Sequence, residues 1–176
     1  MEIWDLYNEK RQPIGKTMIR GERVPEGKYR IIVCLCIIGS DGRMLIQRRA
    51  LDKDGWPGLW DISCGGSAIA GEDSQHAIER ELFEELGIKY DLSHERPKVT
   101  YSIGQGFVDV YIIRADYPLC ELTLQESEVM DAAYATRDEI MKMIEDGSFI
   151  PYHKSIIDSV FFLADSQRLQ TNTDKK

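Results

Sequence analysis

The chain has 176 residues, 43% apolar and 30% charged, with a formal net charge of −8. That length suits one domain able to bury about 70% of its unfolded surface, and the acidity argues against a nucleic-acid backbone as main partner, which needs a basic stripe. No apolar run reaches the ~20 residues that span a bilayer, and the start MEIWDLYNEK has no signal-peptide character.

Residues 2–7 and 13–20 flank the polar turn NEKRQ and predict an N-terminal β-hairpin. The run YRIIVCLCII over 29–38 predicts a central strand buried on both faces. The turn Ser40-Asp41-Gly42 leads from it into a paired strand over 43–49. A loop rich in Gly, Pro and Trp follows, in which Trp56 and Trp60 read as packing residues. A second, glycine-punctuated loop, GGSAIAGE, contains Gly65, Gly66 and Gly71 and introduces a helix within 73–86, ended by Gly87 as a C′ glycine. Strands are expected near 98–103 and 107–114, then an acidic loop, TLQESEVMDA, and a short strand around AAYA. Thr136 and Glu139 form a capping box for a helix to Asp146, and a last helix runs from about Tyr152 to Gln167. This order predicts one α/β domain with a mixed sheet and helices on both faces. The expected organisation is a hairpin extension over 1–27, the main domain over 28–168 and a disordered tail over 169–176. Cys34, Cys36, Cys64 and Cys120 form no Cys-x-x-Cys pair and read as reduced core residues of a cytoplasmic protein. His76, His94 and His153 share no metal-ligand spacing.

The helix within 73–86 carries the densest chemistry. Glu79, Glu81, Glu84 and Glu85 crowd seven positions with only Arg80 among them. At 3.6 residues per turn, Glu81, Glu84 and Glu85 fall within an arc of about 100° beside the apolar stripe Ile78, Leu82 and Leu86. They therefore line the margin where the helix meets the body, whereas Glu79 points to solvent. Repulsion between Glu81 and both Glu84 and Glu85 reads as largely uncompensated, unlike a solvated face of alternating sign. Clustered hard oxygens beside a glycine-rich loop suit Mg²⁺ shared with substrate phosphates.

From Gly66 the pattern is Gly, five residues, Glu72, seven residues, Arg80-Glu81, Leu82, one residue, Glu84-Glu85, one residue, Gly87 and Ile88. Every fixed position of the Nudix box is matched, and the chain resembles the Nudix hydrolase family over most of 28–165. The resemblance implies an α/β/α sandwich with a mixed sheet, to which the hairpin is added. It implies hydrolysis of a diphosphate linked to another group, commonly a nucleoside, with Mg²⁺ or Mn²⁺ as cofactor. Carried over by position, Glu81, Glu84 and Glu85 would be metal ligands. Glu72 would be a further ligand or support them, and Arg80 would orient the carboxylates. Gly66 and Gly87 would be turn residues without chemistry. The family draws its general base from the box or from a later loop, and here Glu126 and Glu128 are the later-loop candidates.

The stretch RRALDKDGWPGLW, the hairpin before it and ESEVMD after it also resemble isopentenyl-diphosphate isomerase, a relative on the same fold. That likeness puts Arg49 and Lys53 where the isomerase meets its diphosphate. Its catalytic Cys-Gly-His-Pro run, however, reads Gly65-Gly66-Ser67-Ala68 here, with Cys64 one position early. The isomerase's catalytic glutamate would fall near Gly106, and the isomerase box is degraded where this one is intact. Hydrolysis of a small-molecule diphosphate is the favoured reading; isomerisation and ligand sensing without turnover are its rivals. A homodimer paired through the hairpin is left open.

Overall fold

The computed structural model of the protein describes residues 2–166; the tail expected over 169–176 lies outside them. In chain order the strands are β1 (Ile3–Tyr7), β2 (Pro13–Ile19), β3 (Arg30–Ile38), β4 (Met44–Arg49), β5 (Trp60–Asp61), β6 (Cys64–Ser67), β7 (Val99–Ile103), β8 (Gly106–Arg114) and β9 (Val129–Ala135). Helix α1 (Ser74–Leu86) falls between β6 and β7, while α2 (Arg137–Asp146) and α3 (Lys154–Asp165) close the order.

The apolar run of β3 makes it the axis of the sheet. Its alternation sends Val33, Leu35 and Ile37 to one face and Cys36 and Ile38 to the other, and both faces are packed. β8 pairs with it in parallel along its whole length, from Arg30↔Gly106 to Ile38↔Arg114, and β7 extends that side. On its other edge the partner changes. β4 pairs with β3 only at Ile37↔Leu45 and Ile38↔Met44. From Leu35 to Ile32 the partner is β6, while β4 turns away to pair with β5 and β9. The sheet is therefore forked, with a β3–β6 wall and a β4–β9 wall.

Residues Cys64–Ser67, expected within a loop, thus form a strand, because β3 offers them a ladder that outweighs the low strand propensity of paired glycines. Two further expectations are corrected. Cys120 is exposed at a 3-10 turn over Leu119–Glu121 rather than in the core. Trp56 is 52% exposed rather than packed, at a left-handed φ of 53°.

Helix α1 buries Ala77, Ile78, Leu82 and Leu86 against one face of the sheet, and α2 and α3 cover the other with Ile140, Ile157 and Val160. The result is the expected α/β/α sandwich. Asp73 caps α1 by accepting from the His76 N–H at 2.9 Å, and Gly87 ends it at φ 71°, in the left-handed C′ conformation. Thr136 and Glu139 make the full capping box of α2.

The hairpin docks on this body at three places. Tyr7 and Tyr29 exchange backbone hydrogen bonds of 2.8 and 3.0 Å, and Ala70 N–H donates to the Ile3 carbonyl at 2.8 Å. In the hairpin turn, Arg11 grips the fully buried Asp109 of β8 through both terminal nitrogens, one at 2.8 Å. Thr100 donates to the same carboxylate at 2.6 Å.

Candidate active site

The fork leaves a cleft of about 450 Å³ floored by α1, walled on one side by β3 and β6 and on the other by the end of β4 with the loop after it and the loop before β9, and flanked by the hairpin. Glu81, Glu84, Glu85, Arg80, Arg49, Lys53 and Glu128 all line it.

The three box glutamates differ in setting. Glu84 is 46% exposed, Glu81 is half-buried, and Glu85 retains 5% of its surface. Glu85 lies between the two walls: Gln47 of β4 donates to its Oε2 at 2.9 Å and Gly65 N–H of β6 approaches at 3.4 Å. Burial and then the neighbouring Glu81 push the Glu85 carboxyl up to about 8, and burial also raises that of Glu81. Gln47 Oε1 is buried without a partner.

Gly66, expected as a turn residue, instead sits in β6 where the Glu81 carboxylate folds against its backbone; a Cβ there would overlap that carboxylate. Gly87 is a turn residue as expected.

Arg80 corrects the expectation of uncompensated repulsion. Its NH1 donates to Glu81 at 2.9 Å and to Glu84 at 3.0 Å. Its Nε and NH2 donate to the two oxygens of Glu72 at 2.8 and 3.1 Å, and NH2 also reaches the Ser67 carbonyl at 3.1 Å. Glu79 is not free in solvent either: it accepts from the Leu92 N–H at 2.6 Å and pins the chain beyond the helix.

On the β4–β9 wall, Arg49 donates through NH1 to Asp61 at 3.3 Å and through Nε to the Gly55 carbonyl at 2.8 Å. Asp61 is itself buried and accepts from the Tyr152 hydroxyl at 2.8 Å. Lys53 is paired with Glu128, whereas Glu126 is exposed and does not line the cleft. Asp61, Tyr152 and Gln47 carried no motif; only their burial beside charged residues marks them.

The donor chemistry of Glu81, Glu84 and Glu85 is all hard oxygen, which fits Mg²⁺ or Mn²⁺. Glu85 adds a buried carboxyl with no cation in ion-pair contact among the described residues, and Gly66 leaves room for Glu81. As they stand, no three such groups among the described residues converge to hold an ion. Arg80 fixes Glu81 and Glu84, and a bound cation would share those carboxylates with it. The cleft gathers three carboxylates and Arg80 on its floor and ion-paired Arg49 and Lys53 on one wall, within a mixed α/β/α sandwich.

The model of the NUDIX domain matches residues 28–158. An uncharacterised Nudix hydrolase of Listeria monocytogenes is 49% identical over 152 residues, 86% of this chain and 90% of that one. An isopentenyl-diphosphate Delta-isomerase of Brevibacterium linens is 30% identical over 157 residues, 82% of each. A crystal structure from Deinococcus radiodurans is similar with a TM-score of 0.72 at 24% identity, covering 95% of this chain and all of that one. A bifunctional NMN adenylyltransferase/ADP ribose pyrophosphatase of Francisella tularensis, complexed with AMP and a Mn ion, has a TM-score of 0.58 at 19% identity, over 77% of this chain and 42% of that one. The chain belongs to the Nudix hydrolase family.

Proposed function

We propose that the cleft hydrolyses the diphosphate linkage of a small molecule, a nucleoside diphosphate derivative being the first candidate, with Mg²⁺ or Mn²⁺. The observation that carries this reading is Glu85, an almost fully buried carboxyl beside Glu81 with no cation of its own, in a cleft whose opposite wall carries Arg49 and Lys53. Glu81, Glu84 and Glu85 are the proposed metal ligands; Glu72, with both oxygens on Arg80, supports them rather than adding a fourth. A bound ion would supply Lewis-acid neutralisation of the diphosphate oxygens and would lower the pKa of water at the site.

The chain's own residues do the rest. Arg80 sets the rotamers of Glu81 and Glu84, so that charge is preorganised rather than assembled during reaction. Arg49, braced by Asp61 and Gly55, and Lys53 face the phosphates. Glu128, on the same wall, accepts the proton of the attacking water at a carboxylate oxygen, and its contact with Lys53 orients it there. In-line attack at phosphorus then breaks one P–O bond of the bridge as the new one forms.

Cys64 supports hydrolysis over isomerisation: it is fully buried, and burial pushes its thiol well above the ordinary value. No helix among the described residues is long and apolar enough to cross a membrane, and the substrate expected here is a small cytoplasmic diphosphate. A Mg²⁺-dependent turnover screen over nucleoside di- and triphosphates, nucleotide sugars, ADP-ribose, dinucleoside polyphosphates and isopentenyl diphosphate tests the reading. Phosphoanhydride cleavage abolished by Glu85→Gln is the expected result. Isomerisation alone, or tight binding with no turnover, overturns it.

A further inference from the structure

The cations of the cleft are matched with carboxylates, with one exception. Arg80 holds Glu72, Glu81 and Glu84; Arg49 holds Asp61; Lys53 holds Glu128; Arg20 of the hairpin holds Glu2 at 2.6 Å. Arg30, the first residue of β3, has only neutral partners among the described residues. It donates to Ser67 Oγ, and its guanidinium lies 4.3 Å from the centroid of the Trp4 ring. Burial and the proximity of Arg20 hold its pKa below the usual arginine value, and Glu2, engaged with Arg20 and Trp4, offsets this only in part. A half-buried guanidinium of this kind is costly unless an anion completes it.

The position of Arg30 says which anion. It stands at the mouth of the β3–β6 wall, across the fork from Arg49 and Lys53, with Glu85 lodged between the two walls. Trp4 is 8% exposed, its Nε1 is given to Glu2 at 2.7 Å, and Arg30 lies over its ring. The hairpin wall therefore presents an oriented guanidinium fork, and Trp4 has no face left on which a base could stack. A planar fork matches a phosphate with several free oxygens and gains most from a doubly charged one.

We infer that Arg30, clamped between Trp4 and Ser67, is a second anion subsite that takes the free terminal phosphate of the substrate. The cleft then prefers diphosphates with an unesterified distal phosphate over diphosphates esterified at both ends. This rests on the diphosphate reading of the cleft and narrows it to one substrate class.

The test compares the wild type with Arg30→Met, which keeps the contact with Trp4, and Arg30→Lys, which keeps the charge without the fork. Calorimetry with Mg²⁺ present measures Kd for α,β-methylene-ADP, whose distal phosphonate is free, and for α,β-methylene-ADP-ribose, whose distal group is esterified. The expected result for Arg30→Met is a loss of about 10- to 100-fold for the free-ended analogue, with the ester little changed. Arg30→Lys recovers part of that loss, and in turnover the change falls on KM rather than kcat. Equal loss on both analogues, no loss on either, no binding of either by the wild type, or a lowered Tm with unchanged Kd would overturn the inference and return Arg30 to a hairpin staple. The binding arm does not depend on cleavage. A turnover panel that stays silent while the two Kd values diverge as expected would sink the hydrolase reading alone.

Discussion

At Glu85 the cost of function is written as a pKa. With its carboxyl raised to about 8, the metal-free folded state holds a proton that the unfolded chain releases near the ordinary glutamate value of about 4.3. The penalty is absent below that value, grows as pH rises, and levels off above about 8. Glu85→Gln removes it, and the new amide can donate to the unpartnered Gln47 Oε1. The variant should therefore melt higher than wild type in chelator, with a gain larger at pH 8.5 than at pH 5. With Mg²⁺ it should lose about 100-fold or more in turnover. A gain independent of pH, or intact turnover, would contradict both assignments. Gly66→Ala tests the neighbouring glutamate. Its Cβ must displace the Glu81 carboxylate, the far end of a flexible side chain, so folding should survive. The midpoint of a Mg²⁺ titration should rise.

Among the elements, the hairpin depends on a residue that no pattern announced. Asp109 is the one charged residue within the apolar run FVDVYII, and it is fully buried. Its burial is tolerable because Arg11, nearly a hundred positions earlier, reaches it from a turn. Burial alone would raise its pKa, but hydrogen bonds from Arg11, Ser74 and Thr100 hold it below the usual value. The stability this adds is present at neutral pH and is lost on acidification through the carboxylate range. Arg11→Ala should cost about 3–5 kcal/mol in chemical denaturation, because it strands a buried charge, and Asp109→Asn should cost less. Both should increase amide exchange across β1 and β2, and Arg11→Ala should weaken substrate binding, since Glu2, Trp4 and Arg20 line the cleft. Legibility followed the same division. Apolar runs, caps and the glutamate spacing marked β3, β8, α1 and α2 because each is a local pattern. β6 escaped notice because its strand character comes from β3. The same is true of Arg80's reach to Glu72, eight positions earlier, and of Arg30's stacking on Trp4, which are partnerships across elements.

For the molecule as a whole, a cation and a proton compete at one place. Mg²⁺ must displace the Glu85 proton, so its affinity should rise with pH by up to about tenfold per unit and flatten near pH 8. The rise in Tm on adding Mg²⁺ should follow the same curve, and Glu85→Gln should flatten its pH dependence, leaving only the smaller part due to Glu81. Differential scanning calorimetry over a pH series with matched ionic strength separates this from simple screening of the −8 charge. The forked sheet has a temporal consequence as well. The strand at its axis finds its full-length partner, β8, only after most of the chain has been made. At a synthesis rate of about 5–20 residues per second, the edge of IIVCLCII stays unpaired on the nascent chain for roughly 4–15 s. This apolar, β-branched edge is the kind that pairs with other chains. Recoverable yield in a cell should therefore depend on translation speed and chaperone supply between β3 and β8 more than on the equilibrium stability of the finished protein.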